Sequence, residues 1–174
     1  MMNNNNKALK LTLLLLVFLA PFFAALFVYQ AREGIHFMTK NVGTLIRPSV
    51  HFETLGTLPP ERRWWMVYYS DAGCDAACEK ALNHFETIRQ SLLEDSPRLG
   101  VILITKTQIH TVPFKGVYEM EFVDPLPEGL PSDHGRAIWL VDPLGNIILS
   151  YDPVLLDNRL LLDLRHLLKV SRIG

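Results

Sequence analysis

Cysteine is scarce in this chain of 174 residues: there are two, Cys74 and Cys78. That excludes a disulfide-stapled miniprotein and a four-cysteine zinc site. A surplus of one charge sign is also lacking. The 17 Lys and Arg residues meet 18 Asp and Glu, leaving a net charge of −1, which argues against a nucleic-acid binder driven by a basic surface. No GxGxxG and no phosphate loop occur, so there is no nucleotide fingerprint. No general base stands out as a hydrolase would need. Disorder throughout is excluded by composition, with 49% apolar and 20% charged residues.

Acid is absent before Glu33, and the same region holds the strongest signal in the chain. Residues 11–29 read LTLLLLVFLAPFFAALFVY, 19 residues without a charge. As a helix at about 1.5 Å per residue this run reaches roughly 28 Å, the thickness of a bilayer's hydrocarbon core. Pro21 lies inside it, which membrane helices tolerate. A cleavable signal peptide has a shorter apolar region and a small-x-small site after it. Tyr29-Gln30-Ala31-Arg32 offers no such site, so a retained anchor is expected. Lys7, Lys10 and the amino terminus precede the run without an acid, which places the N-terminus in the cytoplasm. The remainder would then be exported, into a periplasm if the cell has one. It carries 15 of the 17 bases and all 18 acids, a net −3.

The expected organisation is a cytoplasmic tip at residues 1–10, a transmembrane anchor at 11–30, a tether and lead-in at 31–60 and a folded domain at 61–174. Gly34, Gly43, Pro48, Gly56, Pro59 and Pro60 punctuate the lead-in, where residues 43–48 could form at most a short edge strand. Residues 64–69 (WWMVYY) read as a buried strand running into a turn. A helix is expected over 75–94, with Cys78, Ala81, Leu82, Phe85, Ile88 and Leu92 on one stripe. Residues 101–104 (VILI) are a second buried strand, completing a parallel βαβ unit. Residues 106–133 read as a long connection with one short turn or strand, a length often functional. Residues 136–141 and 146–151 form a hairpin around Asp142-Pro143-Leu144-Gly145, a type I turn composition. Asp152 and Pro153 are placed to start a last helix running to about 170. The order β-α-β, link, β-β-α is that of an α/β thioredoxin-like mixed sheet flanked by helices.

Cys74 and Cys78 form a C-x-x-x-C at the strand-to-helix turn, one helical turn apart. A helix N-terminus favours a thiolate. Such a pair can close a disulfide, exchange with another protein's disulfide or chelate a soft metal. A bridge this short adds little stability by chain entropy, which favours use over support. Cys78 also lies on the apolar stripe, where a cysteine can serve simply as a small hydrophobe. Six histidines could complete a metal site: His36, His51, His84, His110, His134 and His166. His134, in Ser132-Asp133-His134-Gly135 just before the third main strand, is the one a thioredoxin fold would bring to the cysteines.

These pieces resemble the Sco-type copper proteins, membrane-tethered thioredoxin-like factors of cytochrome c oxidase assembly. The resemblance rests on the single anchor, on Cys74 and Cys78, and on Asp133-His134 before RAIWLVDPLGNIILSY. It covers roughly residues 64–170. It implies copper ligation by Cys74, Cys78 and His134, with a cytochrome c oxidase subunit or another copper or redox protein as partner. Two thiolates and an imidazole suit Cu(I). The chain departs from the family at Asp75 and Glu79, where prolines are usual, and at Ile104-Thr105-Lys106-Thr107, where an acidic Asp-Pro segment is usual. Short, anchored Sco-like proteins of bacterial oxidase assembly share the proline-free cysteine segment. Three functions follow as expectations: a copper metallochaperone, a thiol–disulfide oxidoreductase using Cys74 and Cys78, or a scaffold in a membrane complex.

Overall fold

The computed structural model describes residues 4–30, 41–106, 116–121, 125–154 and 158–173. The chain divides into two compact units, Met1–Lys40 and Asn41–Gly174.

The first unit is built on α1 (Asn4–Gln30), with Pro21 inside it. Its segment Leu9–Phe27 has a mean hydropathy of 2.3 and buries none of its surface against protein. Leucine and phenylalanine face outward all round, Phe18 and Phe27 among them. A helix apolar on every face needs an apolar solvent, and 19 residues are enough to cross a bilayer.

The second unit is a six-stranded mixed sheet in the order β1-β6-β5-β2-β3-β4. Its strands are β1 (Thr44–His51), β2 (Trp64–Ser70), β3 (Leu99–Thr105), β4 (Val117–Glu121), β5 (Arg136–Val141) and β6 (Asn146–Tyr151). The central pair β2–β3 is parallel, bridged by α2 (Ala76–Ser91) and a 3-10 segment at Leu93–Arg98. β4 adds parallel to β3, while β5 pairs antiparallel with β2 and forms the expected antiparallel hairpin with β6. At the hairpin the Gly145 amide donates to the Asp142 carbonyl, and Asp142 Oδ1 accepts from the Leu144 and Asn146 amides. A short polar side chain thus closes the turn that the sequence composition predicts.

β2 is buried along its whole length because it serves two cores. Alternate residues point to opposite faces. Trp64, Met66 and Tyr68 join the core under α2 and under α3 (Arg159–Val170), with Leu82, Phe85, Ile88, Leu160, Leu164 and Leu168. Trp65, Val67 and Tyr69 join the other core, with Trp139, Ile46, Phe52, Leu55 and Leu130. Both helices of this unit therefore contribute to one core. The second is closed by β1, the turn after it and the segment around Leu130.

The structure differs from four of the expectations. Residues 41–60 belong to the folded unit, which begins at Asn41 rather than 61. β1 is a full edge strand of the sheet, and Phe52 is completely buried. The last helix starts at Arg159 rather than 152, and the Asp152 carboxylate instead accepts from the Val154 amide in a local turn. The middle helix ends at Ser91, three residues short of the expected 94, and passes into the 3-10 segment that contains Pro97.

The start of the unit is fixed by a buried carboxylate. Asp163 on α3 accepts from the amides of Val42 and Gly43 and from the Tyr151 hydroxyl at 2.8–3.1 Å. Burial and this carboxylate hold the Tyr151 hydroxyl well above its ordinary pKa, so it remains a donor.

Candidate dithiol site

Chemistry collects where the carboxyl end of β2 meets α2. Asp75 caps the helix, its Oδ1 accepting from the Ala77 and Cys78 amides at 3.1 Å each. It occupies the position where the resembling family carries proline, and it starts the helix by side-chain capping instead. Cys74 and Cys78 are joined in a disulfide with Cα atoms 5.2 Å apart, and no free cysteine remains. Cys78 is buried in the helix-covered core, whereas Cys74 is half-buried and packs against its edge. The two residues differ in burial, Cys74 being the more open of the pair.

His134 lies on an adjacent turn. Asp133 and Arg136 exchange backbone hydrogen bonds at 2.7 and 2.9 Å, with φ of +46° at His134 and +74° at Gly135 between them. Positive φ at both central residues makes this a type I′ turn. The Gly135 carbonyl accepts from the Asp71 amide at 2.8 Å, tying the histidine turn to the loop before Cys74. The φ of +74° at Gly135 favours glycine, and a Cβ there would displace the Asp71 carboxylate. Farther back, the Trp139 indole N–H donates to the Pro131 carbonyl at 3.0 Å and holds the segment leading into the turn.

The expected meeting of the two loops is present, but the imidazole itself points outward. Its side chain is 94% exposed, with Nε2 3.5 Å from Asp133 Oδ1. Among the described residues no group of three or more His, Cys, Asp or Glu side chains is close enough to hold a metal ion. With both sulfurs in a disulfide, the oxidised chain does not present the Cys74, Cys78 and His134 donor set. His51, His84 and His166 lie on β1, α2 and α3, while His36 and His110 fall outside the described residues.

Two further residues at this corner, Arg136 and Tyr68, carry no mark in the sequence pattern. Arg136 Nη2 donates to Asp75 Oδ2 at 2.5 Å, joining β5 to the cap of the cysteine helix. The capping role of Asp75 was legible from an Asp directly before a helix, but its cross-strand cation required the fold. Tyr68, 1% exposed on β2, lies beneath the same corner. Burial raises its hydroxyl above the ordinary value; Arg136 pulls it down and Asp75 pushes it up.

A cysteine pair at the first turn of a helix, fed by the central strand of a mixed sheet, defines a thioredoxin-like dithiol protein. A family model described as "Transmembrane-like, thioredoxin-like, C-terminal domain" matches residues 64–171, and the chain belongs to that family. Among solved structures it is similar to BsSco, a member of the Sco family of cytochrome c oxidase assembly proteins in which a disulfide switch is identified. The identity is 12% and the TM-score 0.46, over 77% of this chain and 99% of that one. It is also similar to apo Sco1 from Thermus thermophilus, at 12% identity and a TM-score of 0.48, over 75% of this chain and 99% of that one. No curated protein matches the chain significantly.

Proposed function

We propose that this chain is a membrane-tethered dithiol factor for the maturation of the copper site of cytochrome c oxidase, working on a partner's cysteines by thiol–disulfide exchange. The observation that carries the proposal is the Cys74–Cys78 bridge at the capped start of α2, with Cys78 buried and Cys74 only partly so. The link to the oxidase rests on the sequence resemblance around Cys74, Cys78 and Asp133-His134. The apolar helix α1 is the anchor, with its N-terminal tip in the cytoplasm and the folded unit exported to the periplasmic side.

In the reduced chain the Cys74 thiolate attacks a partner disulfide, forming a mixed disulfide and releasing one partner thiolate. Cys78, deprotonated in turn, attacks Cys74 Sγ and expels the second. The partner gains two electrons and, with solvent, two protons, while Cys74–Cys78 closes. A dithiol reductant on the same side of the membrane returns the pair to its reduced form.

A second reading has the reduced chain carry copper as cargo on Cys74, Cys78 and His134. It is favoured by the backbone tie between the histidine turn and the cysteine loop. Two measurements on the full chain in detergent separate the readings. Dithiol exchange predicts reduction of a model disulfide, lost in Cys74→Ser and retained in His134→Ala. Copper carriage predicts one Cu(I) per reduced chain, lost in His134→Ala. A reduced chain that neither exchanges nor binds copper would overturn both.

A further inference from the structure

The outward face of α3 carries a charge opposite to that of the rest of the folded unit. Residues 41–158 hold nine Lys and Arg against sixteen Asp and Glu, a net −7. Residues 159–173 hold four bases, Arg159, Arg165, Lys169 and Arg172, all of them exposed, and a single acid. That acid, Asp163, is buried and is committed to the Val42 and Gly43 amides and the Tyr151 hydroxyl. The helix therefore exposes no acid. Arg165, Lys169 and Arg172 form no ion pair among the described residues. The helix dipole accounts for a base in the last turn, which is Lys169, but not for bases along the length of the helix.

The same face is apolar where water alone would favour polar residues. Leu162 is 54% exposed and Val170 70%. Leu162 stands three residues before Arg165 and four before His166, so it lies among the bases on one side of the helix. Ile173 is also exposed, in a tail that Arg98 holds by donating to the Leu168, Ser171 and Ile173 carbonyls. Bases interleaved with exposed apolar side chains suit a helix that lies on an anionic lipid surface.

The path of the chain is an independent observation pointing the same way. The segment arriving from α1 enters the folded unit at Val42 and Gly43, whose amides are fastened to Asp163 of α3 itself. Ten residues separate Gln30 from Asn41, and ten residues span at most about 40 Å. A bilayer that holds α1 is thus within reach of α3. We infer that α3 docks by this face on the anionic lipid headgroups of the bilayer that α1 crosses. Arg165, Lys169 and Arg172 pair with lipid phosphates, and Leu162 and Val170 enter the headgroup boundary. This goes beyond the exchange reading of the dithiol and rests only on α1 as the anchor.

The test places the full, oxidised chain in lipid nanodiscs of phosphatidylcholine, with or without phosphatidylglycerol. A fluorophore on His166→Cys, attached while Cys74 and Cys78 stay bridged, is exposed to lipids spin-labelled near the headgroup. Quenching should be about threefold stronger in the anionic discs at low salt. It should fall to the level of the neutral discs in high salt and in Arg165→Gln/Lys169→Gln/Arg172→Gln, a variant changed only at exposed positions. A fluorophore on Glu119→Cys, on β4, should show no such difference. Equal quenching in the two discs, a triple variant that behaves as wild type, or the same response from Glu119→Cys overturns the inference. If neutral discs do not retain the chain, the anchor reading fails, and the face is judged by co-flotation with phosphatidylglycerol vesicles. Binding that the triple variant loses sustains the inference; no binding, or binding that the variant keeps, ends it.

Discussion

The two faces of the sheet are equally dry but are closed by different means. One core lies under α2 and α3, whose apolar stripes supply Leu82, Phe85, Ile88, Leu160, Leu164 and Leu168. The other is closed by one edge strand, a single 3-10 turn and the segment around Leu130, which bring in Ile46, Phe52, Leu55 and Leu130. Burial here does not require a periodic element. Phe52 is as inaccessible as Leu164, although nothing around it repeats. It also separates roles: the helix-covered core holds Cys78 from beneath, while the other core holds the histidine segment through the Trp139 bond to Pro131.

The strongest way to break this comparison is to truncate one anchor on each face. Phe52→Ala should destabilise the folded unit by about 3–5 kcal/mol and Leu164→Ala by about 2–5 kcal/mol, read by denaturant unfolding of the full chain in detergent. If Phe52→Ala cost less than about 1 kcal/mol, the loop-built face would be decoration rather than core.

The next largest effect belongs to Asp163. Its removal to alanine leaves the Val42 and Gly43 amides and the Tyr151 hydroxyl without their acceptor, with an expected loss of about 3 kcal/mol. Hydrogen exchange should show the start of β1 opening first. Asp75→Ala removes one helix cap and the partner of Arg136, for about 1–2 kcal/mol. Thermal unfolding measures that loss, and an unchanged midpoint would remove the cap from the account. The smallest effect has the opposite sign. His134 sits at φ +46°, so His134→Gly should raise stability by about 0.5–1 kcal/mol. Thermal unfolding reads that gain, and an unchanged or lowered midpoint would show that the left-handed backbone at His134 carries no cost.

The same contrast explains what the sequence reveals. The helix-covered face is legible because α2 and α3 repeat apolar residues at helical spacing, and β2, β5 and β6 read as apolar runs bounded by turn residues. Their bounds at 136–141 and 146–151 agree with the structure. The loop-covered face is not legible, since isolated residues such as Phe52 carry no period. Asp152 illustrates a local ambiguity: an Asp-Pro pair suits a helix start and a turn alike, and here the turn wins. At the site, the adjacency of the cysteine and histidine loops is read from strand order. The outward direction of the imidazole, the Asp75–Arg136 pair and the donors around Tyr68 depend on side-chain placement across the sheet.

The central claim is that Cys74 and Cys78 are the working groups of this protein. It is tested most directly in cells lacking the native chain, by measuring the copper content of cytochrome c oxidase after complementation with wild type or with the Cys74→Ser/Cys78→Ser double variant at equal membrane levels. Copper-deficient oxidase is expected with the double variant and normal oxidase with wild type. Full copper occupancy with both cysteines replaced would contradict it.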